Sequence, residues 1–214
     1  MNGHQRYCIT ARRGFASVRP RPAEGPYAVG SSPRHLCGRR LRAIVGPEAT
    51  ARTEDEDLRR QLRGAIKSRA MVYYQVYLEL IPEVGKEKAE EILKRSIYKR
   101  GVAIGRQFRE YAPDDLEGLK KAFMYFVPDH GGMFNPEILD EGESHLDIHM
   151  AQCPLKEAWQ EAGVDDETLA TMCEIAGIVD NGTFEGAGFT VEGDTWKPGR
   201  TGCCTLHITP GPGA

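Results

Sequence analysis

The chain has 214 residues, with 28 Lys and Arg against 31 Asp and Glu for a net charge of −3, and 40% of its residues are hydrophobic. That is room for one domain of ordinary size with a sizeable core. No apolar run approaches the ~18 residues of a membrane span and no secretory core segment occurs, so a cytoplasmic protein with no membrane partner is expected.

The charge is unevenly spread. Residues 1–50 carry nine arginines, no lysine and two acids, Glu24 and Glu48, a local excess of +7 that leaves −10 over the rest. Rich in Gly, Pro and Ser and without a sustained period of 2 or 3.6, residues 1–52 read as a disordered tail, whose simplest origin is a start codon placed too far upstream. The tail lacks the amphipathic helix of a transit peptide and the lysines and interleaved aromatics of a nucleic-acid arm, so no nucleic-acid partner is expected. Residues 53–214 read as a single domain.

Thr53 with Glu56 three residues on is a capping-box signature, and Leu58, Leu62, Ile66, Ala70, Tyr73, Tyr77 and Ile81 follow at helical spacing until Pro82. A second helix is predicted from Lys86 to Tyr111, with Gly101 and Gly105 leaving a smooth strip for close approach of another element. A third starts at Asp114 and buries Leu116, Leu119, Phe123 and Phe126. On the second helix Arg95, Lys99, Arg100 and Arg106 offer contacts for an anionic ligand, although surface cations are ordinarily solvated.

After Pro128 the period changes to 2. Residues 137–140 and 144–151 read as a hairpin whose second strand alternates Leu146, Ile148 and Met150 with His145, Asp147 and His149. Two histidines and a carboxylate on one strand face can converge on a cation, and an exposed strand face is also polar by default.

Cys153 precedes Pro154 at the start of a short helix to Gly163, a position where the helix dipole and free backbone N–H groups favour a thiolate. Burial against Leu155 and Trp159 would act in the opposite direction. Asp165 caps a further helix, predicted to stop at Asn181-Gly182, on which Cys173, Gly177 and Asp180 share a face. A thiol and a carboxylate on either side of a bare glycine suit a small pocket floor. The glycine-rich residues 182–189 read as a tight turn, lacking the lysine of a phosphate loop. Strands follow at 187–193 and 202–209. On the last, Cys204, Leu206 and Ile208 are predicted on one face and Cys203, Thr205 and His207 on the other, which would make Cys203 and His207 a couple for thiolate activation or half a metal site. No CxxC pair occurs, which argues against a zinc ribbon. The fold class expected is α+β, with long N-terminal helices packed on a small, mostly antiparallel sheet with inserted helices.

The segments SRAMVYYQVYLEL, CPLKEAW, MCEIAGIVDNGTFEGAGF and CCTLHITPG together resemble the L-2-amino-thiazoline-4-carboxylic acid hydrolase family over about residues 55–210. The resemblance implies a hydrolase, of the class acting on carbon–nitrogen bonds other than peptide bonds in cyclic amidines, that opens the C–N/C–S ring of a cysteine-derived thiazoline to a carbamoyl-cysteine. It places Cys153, Cys173, Asp180, Glu185, Cys204 and His207 in the site. Cys153 fits the nucleophile, and Asp180, Glu185 or His207 a proton shuttle. No cofactor is predicted; water activated by a divalent metal on Cys and His ligands is the second route. The alternative to an enzyme is a thiol or metal sensor that binds a small ligand without turnover. The partner expected is a small-molecule substrate, and Tyr73, Tyr74 and Tyr77 on the first helix offer a homodimer surface.

Overall fold

The computed structural model describes residues 47–213, with side chains from residue 54 onward. The expected tail over 1–52 lies, as far as residue 46, outside the described residues. Five α-helices and four strands follow in the order α1 (Pro47–Val84), α2 (Lys86–Gly105), a 3-10 helix (Arg106–Tyr111), α3 (Leu116–Phe126), β1 (Pro136–Glu141), β2 (Leu146–Met150), α4 (Pro154–Glu161), α5 (Asp166–Ala187), β3 (Thr190–Asp194) and β4 (Thr205–Thr209). The fold is α+β, as the pattern predicts.

Several predicted boundaries move. Thr53 lies inside α1, because the helix begins at Pro47, and Pro82 sits in its last turn instead of ending it. A proline there forfeits one backbone hydrogen bond, and Gly85, at φ +83°, makes the stop. Ile66, Ala70 and Tyr77 are buried as expected, whereas Leu58 and Leu62 are exposed at 64% and 37%. The Tyr77 hydroxyl donates to Glu90 on α2 at 3.3 Å, and Tyr73 and Tyr74 pack on the core, so much of this aromatic surface is covered within the chain. Asp115, not Asp114, caps α3 by accepting from the Gly118 N–H.

The largest change is in α5. Asp165 caps it, accepting from the Thr168 N–H at 3.0 Å, but the helix continues through Asn181-Gly182 to Ala187 and ends at Gly188 in the left-handed conformation. Residues 182–187 are therefore helical, not a turn. The reason is packing against α2. A Cβ on Gly101 would come 2.2 Å from the Val179 carbonyl oxygen, one on Gly105 2.1 Å from that of Thr183, and one on Gly182 2.2 Å from that of Tyr98. Gly101, Gly105, Gly182 and Gly186 thus let two backbones touch, and this close packing outweighs the helix-breaking tendency of glycine, ~1 kcal/mol per residue.

The strands form one antiparallel sheet in the order β1-β2-β4-β3. Leu146 and Ile148 on β2 lie opposite Ile208 and Leu206 on β4, and all four are buried. Two buried clusters result. One joins α1, α2, α4 and α5 around Trp159, whose indole N–H donates to the Ala70 carbonyl at 2.9 Å. The other packs the sheet against α3 and Phe184. Cys153 and Phe134 touch both clusters.

Candidate active site

A cavity of about 610 Å³ opens at this seam, a size usual for small-molecule sites. Its wall is largely apolar, with Ile97, Phe123, Phe134 and Trp159 among the lining residues, and its chemistry comes from Cys153, Cys173, Cys203, Cys204, Asp180, Arg69 and Arg100.

Cys153 is the N-cap of α4, in extended conformation (φ −150°) ahead of Pro154, and its side chain makes no capping bond. The segment behind it is pinned where the Gln152 N–H meets the Phe134 carbonyl at 3.0 Å and the Ala151 N–H that of Asn135 at 3.2 Å. Cys203 and Cys204 are brought alongside by a reciprocal pair between Met150 and their backbone, Cys203 N–H to Met150 O at 2.9 Å and Met150 N–H to Cys204 O at 2.8 Å. Gly202, at φ +71°, makes the turn before them; a Cβ there would meet His149 Nε2 at 2.3 Å. The Lys156 ammonium bonds the Gly202 carbonyl and lies 5.7 Å from the Trp196 ring, which ties this connection to α4.

From α5 come Cys173, Gly177 and Asp180 on one face, as their spacing predicts, joined by Thr183 on the next turn. Continued helix explains where Glu185 goes. Five residues past Asp180 is a rotation of about 140°, and Glu185 is exposed, accepting from the Tyr98 hydroxyl at 2.6 Å. His207 also lies away from the cavity, on the solvent face of β4, with Nδ1 2.9 Å from Asp147 Oδ1. The predicted Cys203–His207 couple does not form. Strand pairing begins only at Thr205, so the alternation does not extend back through the turn, and both Cys203 and Cys204 line the cavity.

The polar face of β2 resolves into separate pairs. His149 Nδ1 meets Thr205 Oγ1 at 3.1 Å, and His145 Nε2 lies 3.3 Å from Asp140 Oδ2 without aligning as a hydrogen bond. Among the described residues no three His, Cys, Asp or Glu side chains are grouped to hold a metal ion.

Protonation inside the cavity departs from the ordinary. Cys153 is pushed well up by its hydrogen bond to Cys203 and by burial, which together outweigh the backbone N–H groups of Leu155 and Lys156. The helix start therefore does not make a standing thiolate of it. Cys204 is raised likewise, first by its contact with Cys203 and by burial, then by the nearby Asp180 carboxyl. Burial alone pushes the Asp180 carboxyl up to about 7. These groups act on one another's protonation, Cys203 on Cys153 and Cys204, and Asp180 on Cys204.

Cys153, Cys173, Asp180 and Cys204 of the predicted residues thus converge, while Glu185 and His207 do not. Arg69, Thr183 and Thr195 join them without having been predicted there, and Cys203, expected beside His207, lines the cavity together with Cys204. Arg69 lies one turn before Tyr73 on α1, and both line the cavity. That periodicity is the available signal for Arg69; nothing in the chain before Gly202 betrays the turn that swings Cys203 inward.

No curated protein matches the chain. A family model described as L-2-amino-thiazoline-4-carboxylic acid hydrolase matches residues 64–207, more than half of the sequence and a span that holds every cavity-lining residue from Arg69 to Cys204. The chain belongs to the L-2-amino-thiazoline-4-carboxylic acid hydrolase family.

Proposed function

We propose that the protein hydrolyses the ring of a 2-amino-thiazoline-4-carboxylate to a carbamoyl-cysteine through a cysteine-centred site. The observation that carries this reading is the meeting of Cys153, Cys203, Cys204 and Asp180 in one cavity. Family membership supports the substrate class.

Raised thiols suit this substrate, because its amidine is basic enough to receive the proton. The Cys153 thiol gives its proton to the ring nitrogen as its sulfur bonds to C2, and the C=N electron pair moves onto nitrogen. The amidine re-forms as the bond from C2 to the ring sulfur breaks; that sulfur takes the electron pair and a proton from Asp180. Water then adds to C2, giving one proton to the Asp180 carboxylate, and the bond from C2 to Cys153 breaks with return of the thiol. One water is consumed and the product is N-carbamoyl-cysteine. An Asp near 7 can serve as acid in one step and base in the next.

In the test, 2-amino-thiazoline-4-carboxylate is incubated with the protein while loss of the ring chromophore and gain of one thiol per turnover are followed. Cys153→Ala is expected to abolish turnover, and Asp180→Asn to lower kcat by about 10²- to 10⁴-fold while removing the fall in rate above pH 7. Full activity in the Cys153 variant sinks the nucleophile role. The resting thiol state of Cys153 and Cys204 also favours a second reading, a small-ligand-binding module without turnover. It gains if the thiazoline binds but no thiol appears.

A further inference from the structure

Among the described residues, Arg69 and Arg100 are the only guanidinium groups lining the cavity, and both are exposed, which sets them at its mouth. Within the same set neither carries an ion pair, although their neighbours do: Arg63 and Lys67 on α1 bind Glu157, and Lys94 and Arg95 on α2 bind Glu174 and Glu91. Arg69 comes from α1 and Arg100 from α2, and both line the same cavity. From the Tyr77–Glu90 hydrogen bond that ties α1 to α2, Arg69 is eight residues along one helix and Arg100 ten along the other, about 12 and 15 Å at helical rise. Each lies on the cavity-facing stripe of its helix, Arg69 with Tyr73 and Arg100 with Ile97 and Ile104. The one carboxylate in the lining does not neutralise them. Asp180 responds to burial alone, with no cation lowering it, and it pairs with neither guanidinium. Two cations thus face an apolar cavity without a counter-charge from the described residues.

We infer that Arg69 and Arg100 form a subsite that holds the carboxylate of a small amino-acid-derived substrate and points its ring towards the thiols. The identity of the ring rests on the ring-opening reading; the carboxylate subsite does not. A guanidinium fork matches a carboxylate in geometry as well as charge, and a lysine supplies only the charge.

The test has a turnover arm and a binding arm. In the first, 2-amino-thiazoline-4-carboxylate is compared with 2-amino-thiazoline, the same ring without the carboxylate. In the second, calorimetry compares thiazolidine-4-carboxylate, which has no C=N bond to attack, with its carboxamide. Arg69→Met and Arg100→Met are each expected to weaken the carboxylates by about 10- to 100-fold, with little effect on the analogues that lack the carboxylate, and Arg→Lys to restore part of the loss. The change should appear in KM with kcat nearly unchanged. Ring opening with equal efficiency with and without the carboxylate overturns the subsite and leaves the reaction standing. Arginine-dependent binding of thiazolidine-4-carboxylate without any ring opening supports the subsite and removes the reaction. Variants that bind the carboxylate as tightly as the parent protein overturn the subsite outright.

Discussion

Asp180 carries a stability cost that its proposed chemistry would require. Its carboxyl rises from 3.8 to about 7 on folding because it is desolvated in the half-buried cavity wall and no cation offsets this. Between those values the unfolded chain gives up a proton that the folded chain keeps, so the contribution to stability is complete below pH 3.8 and is lost as pH rises through 7. A shift of that size corresponds to at most about 4 kcal/mol. Asp180→Asn should therefore stabilise the protein at pH 8 and change little at pH 4, as read from urea midpoints; equal effects at both values would place Asp180 in solvent. Cys203 has a comparable influence on its neighbour. Its hydrogen bond is the first cause of the raised Cys153 thiol, so Cys203→Ala should bring the onset of Cys153 alkylation by iodoacetamide to lower pH. An unchanged onset would assign the effect to burial alone.

The helix α5 shows what local signals contain and what they omit. Cys173, Gly177 and Asp180 were legible as one face because a helix of any length fixes that relation. Its end was not legible. Asn181-Gly182 is an ordinary stop, and only the α2 backbone, which lies against Gly182, explains why the helix continues. The strip of Gly101 and Gly105 signalled a close neighbour without identifying it. Because the atoms met there are backbone, neither helix can yield to a methyl group. Gly101→Ala and Gly182→Ala should each cost roughly 1–3 kcal/mol or more, and should lower activity by displacing the turn that bears Asp180. Gly64→Ala is the control: a Cβ there meets nothing within 4 Å, and the change should stabilise α1 by roughly 0.5–1 kcal/mol. Equal denaturation midpoints for Gly64→Ala and Gly101→Ala would refute the close approach.

At the scale of the molecule, the cavity belongs to neither buried cluster alone. Trp159, Ile97 and Cys173 come from the helical cluster, Phe123, Met150 and Cys203 from the sheet cluster, and Cys153 touches both. This is why the α+β class could be read from periodicity while the site could be read only in part. Spacing relates residues within an element, whereas Arg69, Cys153 and Cys203 meet through contacts between elements far apart in sequence. A ligand in such a seam binds only when both clusters are formed and joined, so its binding energy should stabilise them as one unit. With thiazolidine-4-carboxylate at 100 times its Kd, linkage gives about 2.7 kcal/mol, and for a chain of this size that raises Tm by roughly 5–10 °C. Near-ultraviolet circular dichroism, sensitive to Trp159 in one cluster and to Phe123 and Phe184 in the other, should show one transition moving as a whole. A melt that divides into two steps, with only one displaced by the ligand, would assign the cavity to a single cluster and remove the seam from the account of the site.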